Sequence, residues 1–181
     1  IDYIAYMNAK HSKGVTKENN AAIPLLEIIG PGFLPKDCRA KLCEMLGIDV
    51  PAEDDKQFTT LGNFYGEETE TSDENLQNTV KNPWAAEQYP VVAQWLKVNR
   101  HALDATVSAV RRTGYYLPTV APDDAEYPLA TTSIPAVRAY VSMSQALCAR
   151  AMLKLNSGDT AGAWTDLITA RRLARRASNG Y

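Results

Sequence analysis

Residues 135–177 read PAVRAYVSMSQALCARAMLKLNSGDTAGAWTDLITARRLARRA, and the fold is decided by how this stretch is taken. In its first half Val137, Tyr140, Val141, Ser144, Leu147, Cys148, Ala151 and Leu155 recur at three- and four-residue steps, the spacing of one helix face. In its second half Ala163, Trp164, Leu167, Ile168, Ala170 and Ala174 repeat the pattern. Between them lies Asn156-Ser157-Gly158-Asp159. Gly158 can take the left-handed conformation that ends a helix, and Asp159 or Thr160 offers an oxygen to the free amides that begin the next. An antiparallel helical hairpin is expected, with Trp164 in its core, so that Trp164→Ala would cost about 3–5 kcal/mol.

Working outward, Tyr115 to Ser133 is irregular, because Pro118, Pro122 and Pro128 each remove a backbone donor. Before it, Pro90 to about Thr113 reads as one long helix closed by Gly114, facing inward with Val92, Trp95, Leu96, Asn99, Leu103, Val107 and Val110. Asn99 is the polar member of that stripe and is expected to make an inter-helix hydrogen bond. Asp49 to Pro83 lacks periodicity. Phe58, Leu61, Phe64 and Tyr65 dock its first half, and the run Glu67 to Asn75 is expected to be a mobile acidic loop. Near the start, Asp2–Lys13 (Tyr3, Met7 and Ile4 inward), a helix from Asn19 or Asn20 to Ile29, and Pro35–Leu46 read as short helices parted by Gly14, Gly30-Pro31-Gly32 and Gly47.

The fold class that follows is all-α. It is an irregular helical bundle or short solenoid-like array, with a C-terminal hairpin and a long acidic loop. A short-helix cluster takes 1–48, the loop 49–83, and the long helix with the hairpin 84–181, within one structural domain.

With 181 residues, 45% of them apolar, the chain can bury a substantial core. Its net charge of −2 gives no overall attraction to nucleic acid or anionic lipid. Locally the signs separate. Asp49–Glu74 holds nine acidic residues against Lys56, whereas Pro135–Tyr181 holds seven basic residues against Asp159 and Asp166, so the two regions can attract each other. Cys38, Cys43 and Cys148 read as small buried hydrophobes. No apolar run reaches the ~20 residues of a membrane span. The chain opens at Ile1 rather than Met, so a trimmed or processed start is expected, and an exported or envelope-associated protein stays open if a targeting segment precedes it.

Two resemblances stand on named residues. Ala151, Gly158-Asp159, Ala163 and Ala170 resemble the small-residue spacing and Gly-Asp turn of a single tetratricopeptide repeat, although Arg175 stands where that family often has Pro. The opening Tyr3-Ile4-Ala5-Tyr6-Met7-Asn8-Ala9, with Gly14-Val15, Glu18-Asn19-Asn20-Ala21-Ala22 and Gly30-Pro31, is similar to the start of uncharacterised envelope-associated proteins of planctomycete-type bacteria. Arg112-Thr113-Gly114-Tyr115-Tyr116-Leu117-Pro118 and Ala163-Trp164-x-Asp166-Leu167 are similar to segments of theirs. The second resemblance implies a helical fold and carries no activity and no catalytic residues.

Chemistry-bearing patterns are few. No phosphate-binding loop, dinucleotide fingerprint, nucleophile elbow or metalloprotease helix occurs. His101 and Asp104 are a pair where zinc needs three or four ligands, so neither a metal nor a cofactor is expected. Trp84, Trp95 and Trp164 read as core anchors. Two groups suit a ligand or partner: Arg111 and Arg112 with Tyr115 and Tyr116, as a groove for a peptide or sugar, and Arg171, Arg172, Arg175 and Arg176, for phosphate, an acidic partner or the chain's own acidic segment. The expected function is a non-catalytic interaction or scaffold module binding a protein or peptide, with a second copy of the chain open as a partner. The alternative is a hydrolase-type or small-ligand-binding enzyme whose site is assembled only by the fold, marked by convergence of His101, Asp104, Arg111 and a tyrosine.

Overall fold

In the computed structural model of the chain, residues 2–34, 36–54, 56–66, 70–121 and 135–179 are described. Every regular element among them is helical: α1 (Tyr3–His11), α2 (Ala22–Ile29), a 3-10 turn (Pro31–Phe33), α3 (Arg39–Leu46), α4 (Leu61–Tyr65), α5 (Glu70–Lys81), α6 (Pro90–Val98), α7 (Arg100–Ala109), α8 (Pro135–Asn156) and α9 (Thr160–Asn179). The fold is all-α.

Helix α8 is the hub. Ala136, Ala139, Tyr140, Met143, Ala146, Leu147, Ala149 and Ala151 are buried, and they surround more of the helix than one stripe would. The alanines leave room for close neighbours: α9, α5, α7, α2 and the 3-10 turn all pack on it. The turn into α9 forms as its residues dictate. Gly158 has φ +84°, and Asp159 caps α9 by accepting the Gly162 amide at 2.9 Å.

The face that α9 buries is not the expected one. Ala163, Asp166, Thr169, Ala170 and Leu173 are turned inward, whereas Trp164 is 66% exposed and Leu167 and Ile168 are only half-buried. Trp164 is therefore no core anchor. The cause is Asp166, a charge placed on the inward stripe because Arg150 and Lys154 of α8 lie opposite it. The Asp166 carboxylate accepts from Arg150 Nη2 at 2.6 Å and Nε at 2.9 Å, and from Lys154 Nζ at 2.8 Å. Arg150 Nη1 reaches on to Asp104 of α7 at 2.7 Å, tying three helices together. Burial works against the Arg150 charge, but the hydrogen bonds and charges of Asp166 and Asp104 outweigh it and hold the guanidinium protonated above its ordinary range.

Three further expectations are corrected. The single long helix is divided at Asn99 and stops at Ala109. Asn99 Nδ2 takes the Trp95 carbonyl at 3.1 Å, competing with the helical ladder. The acidic loop contains helix α5, because Leu76, Thr79 and Val80 form a short inward stripe against α8; residues 67–69 lie outside the described residues. Tyr3 is 54% exposed rather than inward, leaving Ile4 and Met7 half-buried on α1.

Three asparagines pin non-helical backbone to the bundle, each using both ends of its amide. Asn99 accepts from Thr59 N at 2.8 Å and donates to Thr59 O at 3.0 Å. Asn20 does the same to Tyr116, at 2.9 Å for each bond. Asn8 holds Thr119, at 2.8 and 2.9 Å. Each satisfies a peptide group that no helix ladder serves, and Asn20 and Asn8 fix the path of the chain leaving α7.

Candidate functional site

Where α7 ends, the chain turns through Val110 to Thr113 and passes beside the last turns of α9. Arg111 and Arg112 come from the first element, Arg172, Arg175 and Arg176 from the second. With Val110 and Thr113 they line an open cleft of about 800 Å³ that has no carboxylate among the described residues lining it. Five of the eight residues singled out from the sequence thus meet in one place, although some 60 positions separate the two groups.

The five guanidiniums are held differently. Arg112 Nη1 donates to the Asn20 carbonyl at 3.0 Å and the Lys17 carbonyl at 3.3 Å. Arg176 Nη2 donates to the Arg112 carbonyl at 2.6 Å, and its Nη1 to that of Thr113 at 3.3 Å. Arg176 thereby satisfies two carbonyls of the turn that follows α7. Arg111, Arg172 and Arg175 are exposed. Near Arg112, the Glu18 carboxyl is held below its usual range, first by a backbone hydrogen bond and the Thr16 side chain, with Lys17 and Arg112 adding to the effect.

Comparison with protein families, with curated proteins and with solved structures finds no match to this chain.

The remaining predicted residues lie elsewhere. Arg171 is exposed on the outer face of α9 and does not line the cleft. Tyr115 and Tyr116 pack against the core. The Tyr115 hydroxyl faces that of Tyr140 at 3.4 Å, a long hydrogen bond. Burial pushes the Tyr115 phenol up to about 12, against the smaller opposing effects of the Tyr140 hydroxyl and the Arg176 charge. Since this folded value lies above the unfolded one of about 10, the associated stability is complete below pH ~10 and is lost as pH rises through about 12. Urea midpoints at about pH 9 and about pH 12 should accordingly fall further in the wild type than in Tyr115→Phe, by a difference on the order of 2 kcal/mol. Equal falls would mean that the phenol is solvated.

Among the described residues, none of the acidic segment lines the cleft. Asp54, Lys56 and Gln57 border, with His101 of α7, a hollow of about 540 Å³ that shares Arg112 with the cleft. Asp104 is engaged by Arg150, and Arg111 lines the cleft while His101 lines the hollow, so among the described residues these three do not share one pocket. Burial raises the Cys43 and Cys148 thiols above their ordinary range, which disfavours the nucleophilic thiolate. Among the described residues no cluster of three or more metal-ligating side chains exists, and no described helix is long and apolar enough to cross a membrane. A mostly apolar groove of about 640 Å³, with Val80, Val137, Val141, Cys148 and Ala174, runs along the opposite side of α8 and α9.

Sequence reasoning treated the arginines as two groups. Thr113 and Val110 carried no signal. The Asp166 network carried one: Arg150 and Asp166 stand eight residues on either side of Gly158, the positions that face each other in a hairpin folded there.

Proposed function

We propose that this chain is a non-catalytic helical interaction module that binds an acidic segment of a protein or peptide in the cleft between the end of α7 and the last turns of α9. The observation that carries the reading is the gathering of five arginines from two distant stretches around one open cleft with no carboxylate among the described residues lining it. Like charges brought this close repel one another, and an anionic partner relieves that repulsion while guanidinium forks pair with its carboxylates. The buried small residues Ala151, Ala163 and Ala170 support treating the hairpin as tetratricopeptide-like, a frame used for holding peptides.

A fluorescent Glu/Asp-rich peptide and its Gln/Asn counterpart, followed by anisotropy at low and high salt, test this. The acidic peptide should bind, more weakly as salt rises, and Arg172→Gln with Arg175→Gln should weaken it about tenfold or more while leaving the urea midpoint unchanged. Equal binding of both peptides, or of the acidic peptide to both proteins, would overturn the proposal.

A further inference from the structure

We infer that the group the cleft is built to hold is a phosphomonoester on a peptide side chain; this rests on the reading just given and narrows it. Arg112 and Arg176 are tethered by two backbone carbonyls each, so two guanidiniums are fixed before any ligand arrives. Arg111, Arg172 and Arg175 surround them from two different elements and are exposed. A carboxylate brings one charge and two oxygens in a plane. A phosphomonoester brings nearly two charges and three terminal oxygens disposed around phosphorus, which matches donors arriving from several directions. At about 800 Å³ the cleft also exceeds a phosphate group and leaves space for the chain that carries it.

A peptide is favoured over a lipid or a nucleic acid by what lies beside the cleft. Trp164, Ile168, Arg171 and Arg175 recur at steps of four, three and four, so they form one stripe on the side of α9 opposite its buried face. Trp164, the most exposed large apolar side chain among the described residues at 66%, stands eleven residues before Arg175. That is about 16 Å along a helix axis, a distance an extended peptide covers in roughly five residues. One stripe therefore offers an apolar anchor and, five peptide residues away, a site for a charged one. A nucleic acid would be served by a continuous basic track, whereas this chain carries a net charge of −2 and lines one cleft with five arginines.

The test uses the whole chain and labelled ten-residue peptides carrying one phosphoserine with Leu five positions before or after it. Counterparts carry Ser or Glu in place of the phosphoserine, or Ser in place of Leu. One Leu-bearing phosphopeptide should bind at least about tenfold more tightly than its Ser and Glu counterparts, and inorganic phosphate should compete. Arg172→Gln with Arg175→Gln, and separately Arg111→Gln, should erase that preference, and Trp164→Ala should weaken only the Leu-bearing peptide. If the Glu peptide equals the phosphopeptide, the phosphate inference falls and the acidic-segment reading stands. If no peptide binds, both fall. Tighter binding of phosphatidic acid vesicles or of a ten-nucleotide single strand than of the phosphopeptide would overturn the peptide source.

Discussion

Asp166→Ala is expected to lower the stability of the chain by about 3–5 kcal/mol, the cost of leaving a buried charge without its partner. The carboxylate is fully buried and accepts three hydrogen bonds from two cations. Arg150 is itself only 9% exposed, and after the substitution it keeps a single carboxylate, that of the solvent-facing Asp104. Lys154 is less constrained and can turn to water. The variant Arg150→Met with Asp166→Leu should recover most of the loss, because removing both charges also removes the cost of desolvating them. Urea denaturation with an unchanged slope measures both. A loss below about 1 kcal/mol for Asp166→Ala would place the carboxylate in solvent.

Trp95→Ala is expected to cost a similar 3–5 kcal/mol. Its ring is fully buried and meets Phe58 edge-on at 6.1 Å. Its Nε1 donates at 2.7 Å to the Thr59 carbonyl, which Asn99 also clasps. The substitution therefore opens a cavity and weakens the attachment of the segment before α4. Trp164→Ala, by contrast, should change stability by no more than about 0.5 kcal/mol. A large loss for Trp164 with a small one for Trp95 would reverse their assigned places.

Helix content was legible wherever apolar side chains recur at helical steps, and the Gly158-Asp159 turn and the burial of Asn99 could be read from local residues alone, although Asn99 bonds the non-helical Thr59 rather than another helix. What misled was charge. Asp166 sits on the buried stripe of α9, so treating polar residues as outward rotated the helix and put Trp164 inside. The acid-rich start of α5 likewise concealed the short inward stripe of Leu76, Thr79 and Val80. Each arginine of the cleft was conspicuous by its type. Their meeting was not, since it depends on α7 ending at Ala109 and on α9 lying beside that end, and contacts over such separations leave no periodic trace. Tyr115 and Tyr116 show the converse: neighbours of Arg111 and Arg112 in sequence, they turn to the core because Asn20 binds the Tyr116 backbone.

The rotation of α9 about its axis underlies both the buried ion pairs and the outward stripe of Trp164, Arg171 and Arg175. Brief oxidation of indoles in the folded chain, with each site located by mass spectrometry, tests it most directly. Modification at Trp164, with Trp84 and Trp95 reacting only after unfolding, is the expected result. Protection of Trp164 in the folded chain, or reaction of Trp84 and Trp95 at the same rate, would contradict it.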